Sequence, residues 1–193
     1  FAQASENSRN FEPHTTYFKR AIEVLVGQQD DLELWGYSTG GGLSIEILND
    51  PEFQQRIVNA VIIAPGGSVE QSKADVIKGI LHEVKEFLKR PKTIQDTVVA
   101  YARKLPIEAT HKKLRDRIFS STLFNKVGKR INAWENIKVK EGGRIIVVTG
   151  RKDEITKSYR VNQDLLRSPN SQITILESAR GSHIFPLTQA ANV

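Results

Sequence analysis

The chain has 193 residues, 39% of them hydrophobic and 26% charged, with a net charge of +6 and no cysteine. That length suits one domain with a sizeable core, and without an apolar run of 18 residues no segment reads as a membrane-spanning helix. Lack of cysteine excludes disulfides and thiolate metal sites, although it leaves the compartment open. The chain also has no methionine and begins at Phe1, so an upstream segment is expected.

Residues 2 to 10 are polar and read as loop. Tyr17, Phe18, Ala21, Ile22 and Leu25 then recur at helical spacing, with Gly27 as a stop. Leu32 to Trp35 is a short buried strand that delivers the chain to Gly36. From Thr39 the residues Leu43, Ile47 and Leu48 mark one face of a helix that ends at Asn49, Asp50 and Pro51.

Between that strand and helix lies Gly36-Tyr37-Ser38-Thr39-Gly40, a G-x-S-x-G motif. A bare match arises by chance in roughly one chain of this length in twenty, so the surrounding strand, turn and helix carry the weight. In so tight a reversal the positions two before and two after the serine are expected to be very small, as Gly36 and Gly40 are. Ser38 is then a candidate nucleophile. The Thr39 N–H, at the helix N-terminus, is a candidate donor to an oxyanion. A phosphate-binding loop would need Lys followed by Ser or Thr after the glycines, and Leu43-Ser44 stands there instead.

Ile57 to Ala64 is an almost continuous apolar run closed by Pro65, the pattern of a buried parallel strand. Further strands are expected at Arg144 to Thr149 and Gln172 to Leu176, with a helix from Thr156 to Leu166 between them. This alternation predicts an α/β architecture with a mostly parallel, doubly wound sheet. Its functional groups should lie past the carboxyl ends of the strands. Asp153 follows one of those strands and His183 the other, giving the chain order Ser, Asp, His. His183 could take the serine proton, and Asp153 could hold the imidazole tautomer. Glu154 is a minor alternative for the acid. His14, His82 and His111 follow no strand, and Asp164 falls on a helix, so all four read as solvated. The pattern calls for no cofactor and no metal.

Residues 69 to 140 separate two sheet strands. Val76, Ile77, Ile80, Leu81, Val84, Phe87 and Leu88 form one helical stripe, and Ile94, Val98, Tyr101 and Leu105 a second. A third runs from Leu114 through Ile118 and Phe119 towards Val127. Most of these side chains are expected to pack on one another and on the sheet. The segment holds 17 Lys and Arg against 8 Asp and Glu, a net of +9, leaving −3 for the rest of the chain. Its clusters, Lys89-Arg90-Pro91-Lys92 and His111-Lys112-Lys113-Leu114-Arg115, could attract an anionic membrane surface or an anionic substrate. A solvated helical surface is the simpler account of them. No nucleic-acid partner is expected, because no aromatic interleaving accompanies the charge.

Taken together, Gly36 to Gly41, Gly150 to Asp153 and Gly181 to His183 resemble the nucleophile elbow, acid loop and histidine loop of the α/β-hydrolase superfamily. The likeness is to its lidded esterases, monoacylglycerol lipases and lysophospholipases. It implies a serine esterase with Ser38, Asp153 and His183 as catalytic triad, acting on a small-molecule ester or lipid substrate; the alternatives are a thioesterase, amidase or acyltransferase using the same triad, or a non-catalytic binding or regulatory module. It implies a core of residues 1–68 and 141–193, with 69–140 as a helical lid that lines an acyl pocket. Tyr37 stands where many members carry His, a change expected to leave the mechanism untouched. Members of the superfamily place several strands and an oxyanion loop before the elbow. The chain therefore reads as the C-terminal part of such a hydrolase, with an uncovered edge at its first strand.

Overall fold

The computed structural model describes residues 12–27, 31–67, 69, 71–96, 134, 136–157, 159–160 and 170–183. Four parallel strands form one sheet in sequence order: β1 (Leu32–Tyr37), β2 (Ile57–Ile63), β3 (Arg144–Gly150) and β4 (Ile173–Ser178). The helices are α1 (Glu12–Val26), α2 (Thr39–Leu48), α3 (Pro51–Gln54) and α4 (Lys73–Leu88). Residues 92–96 are also helical. The second and third apolar stripes beyond residue 96, and most of the helix expected over 156 to 166, lie outside the described residues.

The central strands are the apolar runs. Ala60, Ile62, Ile145 and Val147 have no exposed surface, and burying an aliphatic side chain of Val or Ile size stabilises by about 1.5–3 kcal/mol. These residues join Ile45, Leu48, Phe53, Trp134 and Ile137 in one core cluster. Strands β1 and β4 are the outer ones, and both alternate between half-buried and exposed positions through most of their length. Among the described residues β1 pairs only with β2, and Trp35 on β1 is 69% exposed.

Local chemistry sets the element ends. Gly27 takes φ +59°, stopping α1 in the left-handed conformation that glycine adopts freely. Asp50 caps α3 by accepting from the Glu52 N–H, with Pro51 at the first helical position. Ser72 and Asp75 form a reciprocal capping box at the start of α4. Strand β1 runs two residues further than expected, through Gly36 and Tyr37, because both pair with Ile62 and Ile63 of β2. Strand β4 likewise continues to Ser178, opposite Gly150.

Helix α4 differs from its expected stripe. Val76 and Glu83 are buried, whereas Ile77, Leu81, Val84 and Leu88 are exposed. The face turned inward contains Val76, Gly79 and Glu83, with Ile80 and Phe87 half-buried beside them, and the remaining apolar residues of the stripe face outward.

Candidate active site

Three loops meet at the carboxyl ends of the strands. The first is the turn from β1 into α2, where Ser38 has φ 54° and ψ −118°. A positive φ at a non-glycine residue costs roughly 1–3 kcal/mol and persists only where surrounding bonds hold it. Here the Ser38 N–H donates to the Ile63 carbonyl at 3.0 Å, and the Ser38 carbonyl accepts from Gly66 N–H at 2.7 Å and Gly42 N–H at 3.2 Å. The chain is thereby pinned to β2, to the loop after β2 and to α2.

Gly36 is required by contact. A Cβ there would lie 2.2 Å from Ser44 Oγ and 2.5 Å from the Gly40 carbonyl oxygen. The expectation for Gly40 needs correction: among the described residues a Cβ at that position meets nothing within 4 Å. Gly41 carries the constraint instead, because a Cβ there would approach Pro65 Cα to 3.0 Å where α2 crosses the end of β2.

The second loop follows β3 and holds Asp153, which is fully buried. Its Oδ1 accepts from the N–H groups of Ile155 at 3.0 Å and Thr156 at 2.9 Å, and its Oδ2 from Thr156 Oγ1 at 2.5 Å. The third loop follows β4 and holds His183, 6% exposed. Backbone bonds from Arg151 N–H to Ser178 and from Lys152 N–H to Gly181 tie these two loops together.

The side chains of Ser38, His183 and Asp153 form one hydrogen-bonded chain. His183 Nδ1 lies 3.0 Å from Asp153 Oδ2, and His183 Nε2 lies 2.9 Å from Ser38 Oγ. Burial alone would raise the Asp153 pKa, but the hydrogen bond and charge of His183, together with the Thr156 donors, outweigh it. The carboxyl is held below its ordinary value. An ionised carboxylate can only accept, so Nδ1 carries a proton. In the neutral form of that tautomer Nε2 is bare and can accept from the Ser38 hydroxyl, 2.9 Å away. Glu154 takes no part in this chain, and His82 is exposed on α4. The side chains of His14, His111 and Asp164 lie outside the described residues. Thr39 opens α2, where backbone N–H groups have no partner within the helix. Among the described residues no group of three His, Cys, Asp or Glu side chains converges to hold a metal.

No protein-family model matches the sequence, and no curated protein matches it. Solved structures do. A lipase-esterase related protein from Clostridium acetobutylicum superposes with a TM-score of 0.66 at 16% identity, covering 95% of this chain and 72% of its own. A bromoperoxidase from Bacillus anthracis gives 0.61 at 17% identity, over 97% and 72%. A monoacylglycerol lipase from Paleococcus ferrophilus gives 0.57 at 19% identity, over 90% and 67%. The chain has the α/β-hydrolase fold. The chain covers about 70% of the length of these structures.

Several residues around this site carry little or no obvious signal in the sequence. Thr156 lies three residues after Asp153, the D-x-x-T spacing of a side chain capping its own turn, so a signal was present. Glu83 gave none, since one acidic residue in a charged helix looks solvated. The residue is 4% exposed, and its carboxylate accepts the His183 backbone N–H at 2.9 Å. Tyr37 was expected to be indifferent. Its hydroxyl donates to the His183 carbonyl at 2.7 Å, and its ring stacks on the imidazole with centroids 5.4 Å apart.

Proposed function

We propose that the chain carries the catalytic centre of a serine hydrolase that cleaves carboxylic esters through an acyl-enzyme. The observation that carries this reading is the hydrogen-bonded chain from Ser38 Oγ through His183 to ionised Asp153, with the serine on a strained turn. Ser38 Oγ attacks the ester carbonyl while His183 Nε2 takes its proton. The tetrahedral oxyanion is received by the Thr39 N–H at the start of α2. Collapse breaks the C–O bond, His183 returns the proton to the leaving alcohol, and the acyl group stays on Ser38. Water, deprotonated by His183, then releases the acid and restores the serine. Asp153 orients the imidazole and stabilises its cation throughout.

Residues 69–140 serve in this reading as the lid insertion. Their excess of 17 basic over 8 acidic residues supports an approach to anionic lipid surfaces and a lipid-like ester as substrate. Hydrolysis of p-nitrophenyl esters of graded acyl length, compared with Ser38→Ala, tests the proposal. Turnover with a pre-steady-state burst, abolished in Ser38→Ala, is expected. Equal turnover by the variant refutes the assignment.

A further inference from the structure

His183 is held by more than its imidazole. Its backbone N–H donates to Glu83 Oε1 at 2.9 Å, and its carbonyl accepts from Tyr37 Oη at 2.7 Å. Both backbone polar groups of the histidine are therefore taken by side chains from other elements: Tyr37 from the end of β1, one residue before Ser38, and Glu83 from α4. Neither bond belongs to the sheet.

Helix α4 is seated to make this contact. Val76, Gly79 and Glu83, spaced three and four apart, fall on one buried face. At Gly79 the helix backbone runs so close to the acid loop that a Cβ would lie 2.3 Å from the Glu154 carbonyl oxygen. Gln71, just before the helix, donates to the Ile155 carbonyl at 2.9 Å. The same helix thus abuts the loop of Asp153 and bonds the loop of His183. Tyr37 remains a neutral donor, because burial, with the nearby negative charges of Asp153 and Glu83, pushes its phenol pKa well up.

We propose that Glu83 and Tyr37 are positioning residues that clamp the His183 backbone from two sides, making α4 a fixed part of the catalytic frame. This rests on reading Ser38, His183 and Asp153 as a triad. Removing a buried acceptor leaves the His183 N–H unpaired and frees the loop to move. Displacement of a general base by about 1 Å costs up to roughly 100-fold in rate. The clamp touches no reacting atom, so the loss should fall on kcat.

The test uses Glu83→Ala, Glu83→Gln, Tyr37→Phe and the double variant Tyr37→Phe/Glu83→Ala, each first shown to be folded by circular dichroism. Glu83→Ala should lower kcat by about 10- to 100-fold with KM within about twofold of wild type. Glu83→Gln keeps an oxygen to accept the N–H and should restore most of that loss. The double variant should lose less than the product of the single losses, because both act on one residue's backbone. Proton NMR of the His183 Nδ1–H gives a readout independent of turnover. Its low-field resonance should persist in wild type and Glu83→Gln and broaden in Glu83→Ala and Tyr37→Phe. If Glu83→Ala does not fold, Glu83→Gln and Tyr37→Phe still decide the matter by the same signal. Unchanged kcat with an unchanged resonance in Glu83→Ala or Tyr37→Phe overturns the clamp, and so does a Glu83→Gln as impaired as Glu83→Ala. Failure of the triad reading looks different: wild type then fails to turn over esters at all.

Discussion

Replacing Asp153 with Asn separates the shape of the acid loop from its charge. The aspartate accepts four hydrogen bonds, two backbone N–H groups on Oδ1 and the Thr156 hydroxyl and His183 Nδ1 on Oδ2. An asparagine side chain keeps the first two by placing its oxygen at Oδ1, so the loop retains its form. Its NH2 group then faces His183 Nδ1, and two donors cannot share that contact. The imidazole must therefore place its proton on Nε2, opposite the Ser38 hydroxyl, where it can no longer accept. In a serine-protease triad the same change lowers kcat by about 10⁴-fold, equivalent to about 5 kcal/mol of barrier. A loss of that order is expected here, measured as kcat on an activated ester with the fold checked by circular dichroism. A folded Asp153→Asn within tenfold of wild type would refute the account of the tautomer.

Two further predictions follow from the elbow and the acid loop. Gly36→Ala forces a Cβ to 2.2 Å from Ser44 Oγ and should destabilise by about 1–3 kcal/mol, whereas Gly40→Ala should unfold within about 0.5 kcal/mol of wild type; chemical denaturation of both variants checks the contrast, and equal losses would sink it. Because Asp153 is depressed in the fold, its stabilisation is present above the unfolded carboxyl value of about 3.9 and is lost as pH falls through the lower folded value. The melting-temperature gap between wild type and Asp153→Asn should therefore shrink below about pH 4; a gap that stays constant down to pH 2 would contradict this.

The sheet was legible because its central strands are apolar runs bounded by Pro65 and Gly150, and no other element type explains such short stretches. Ser38, Asp153 and His183 were legible through order, each standing just after an expected strand. What escaped depends on contacts distant in sequence. Tyr37 finds its acceptor 146 residues away and Glu83 its donor 100 residues away, and no local spacing encodes either pairing. In α4 a charged residue belongs to the buried face while Leu81 and Leu88 stay exposed, so hydrophobic periodicity located only part of the inward side of the helix. The four-residue α3 went unread because Pro51 reads equally as the stop of one helix and the first residue of the next. Gly40 and Gly41 are adjacent, and only the crossing of α2 over Pro65 shows which of them is sterically constrained.

The central claim is that Ser38 is a nucleophile activated by His183. Incubation with a fluorophosphonate, followed by peptide mass spectrometry, tests it most directly. A single phosphonyl adduct on Ser38 is expected in wild type, none in Ser38→Ala, and labelling in His183→Ala slowed by at least about 10²-fold, the lower range for a general base. A folded wild type that gains no adduct at Ser38, or a His183→Ala that labels as fast as wild type, would contradict it.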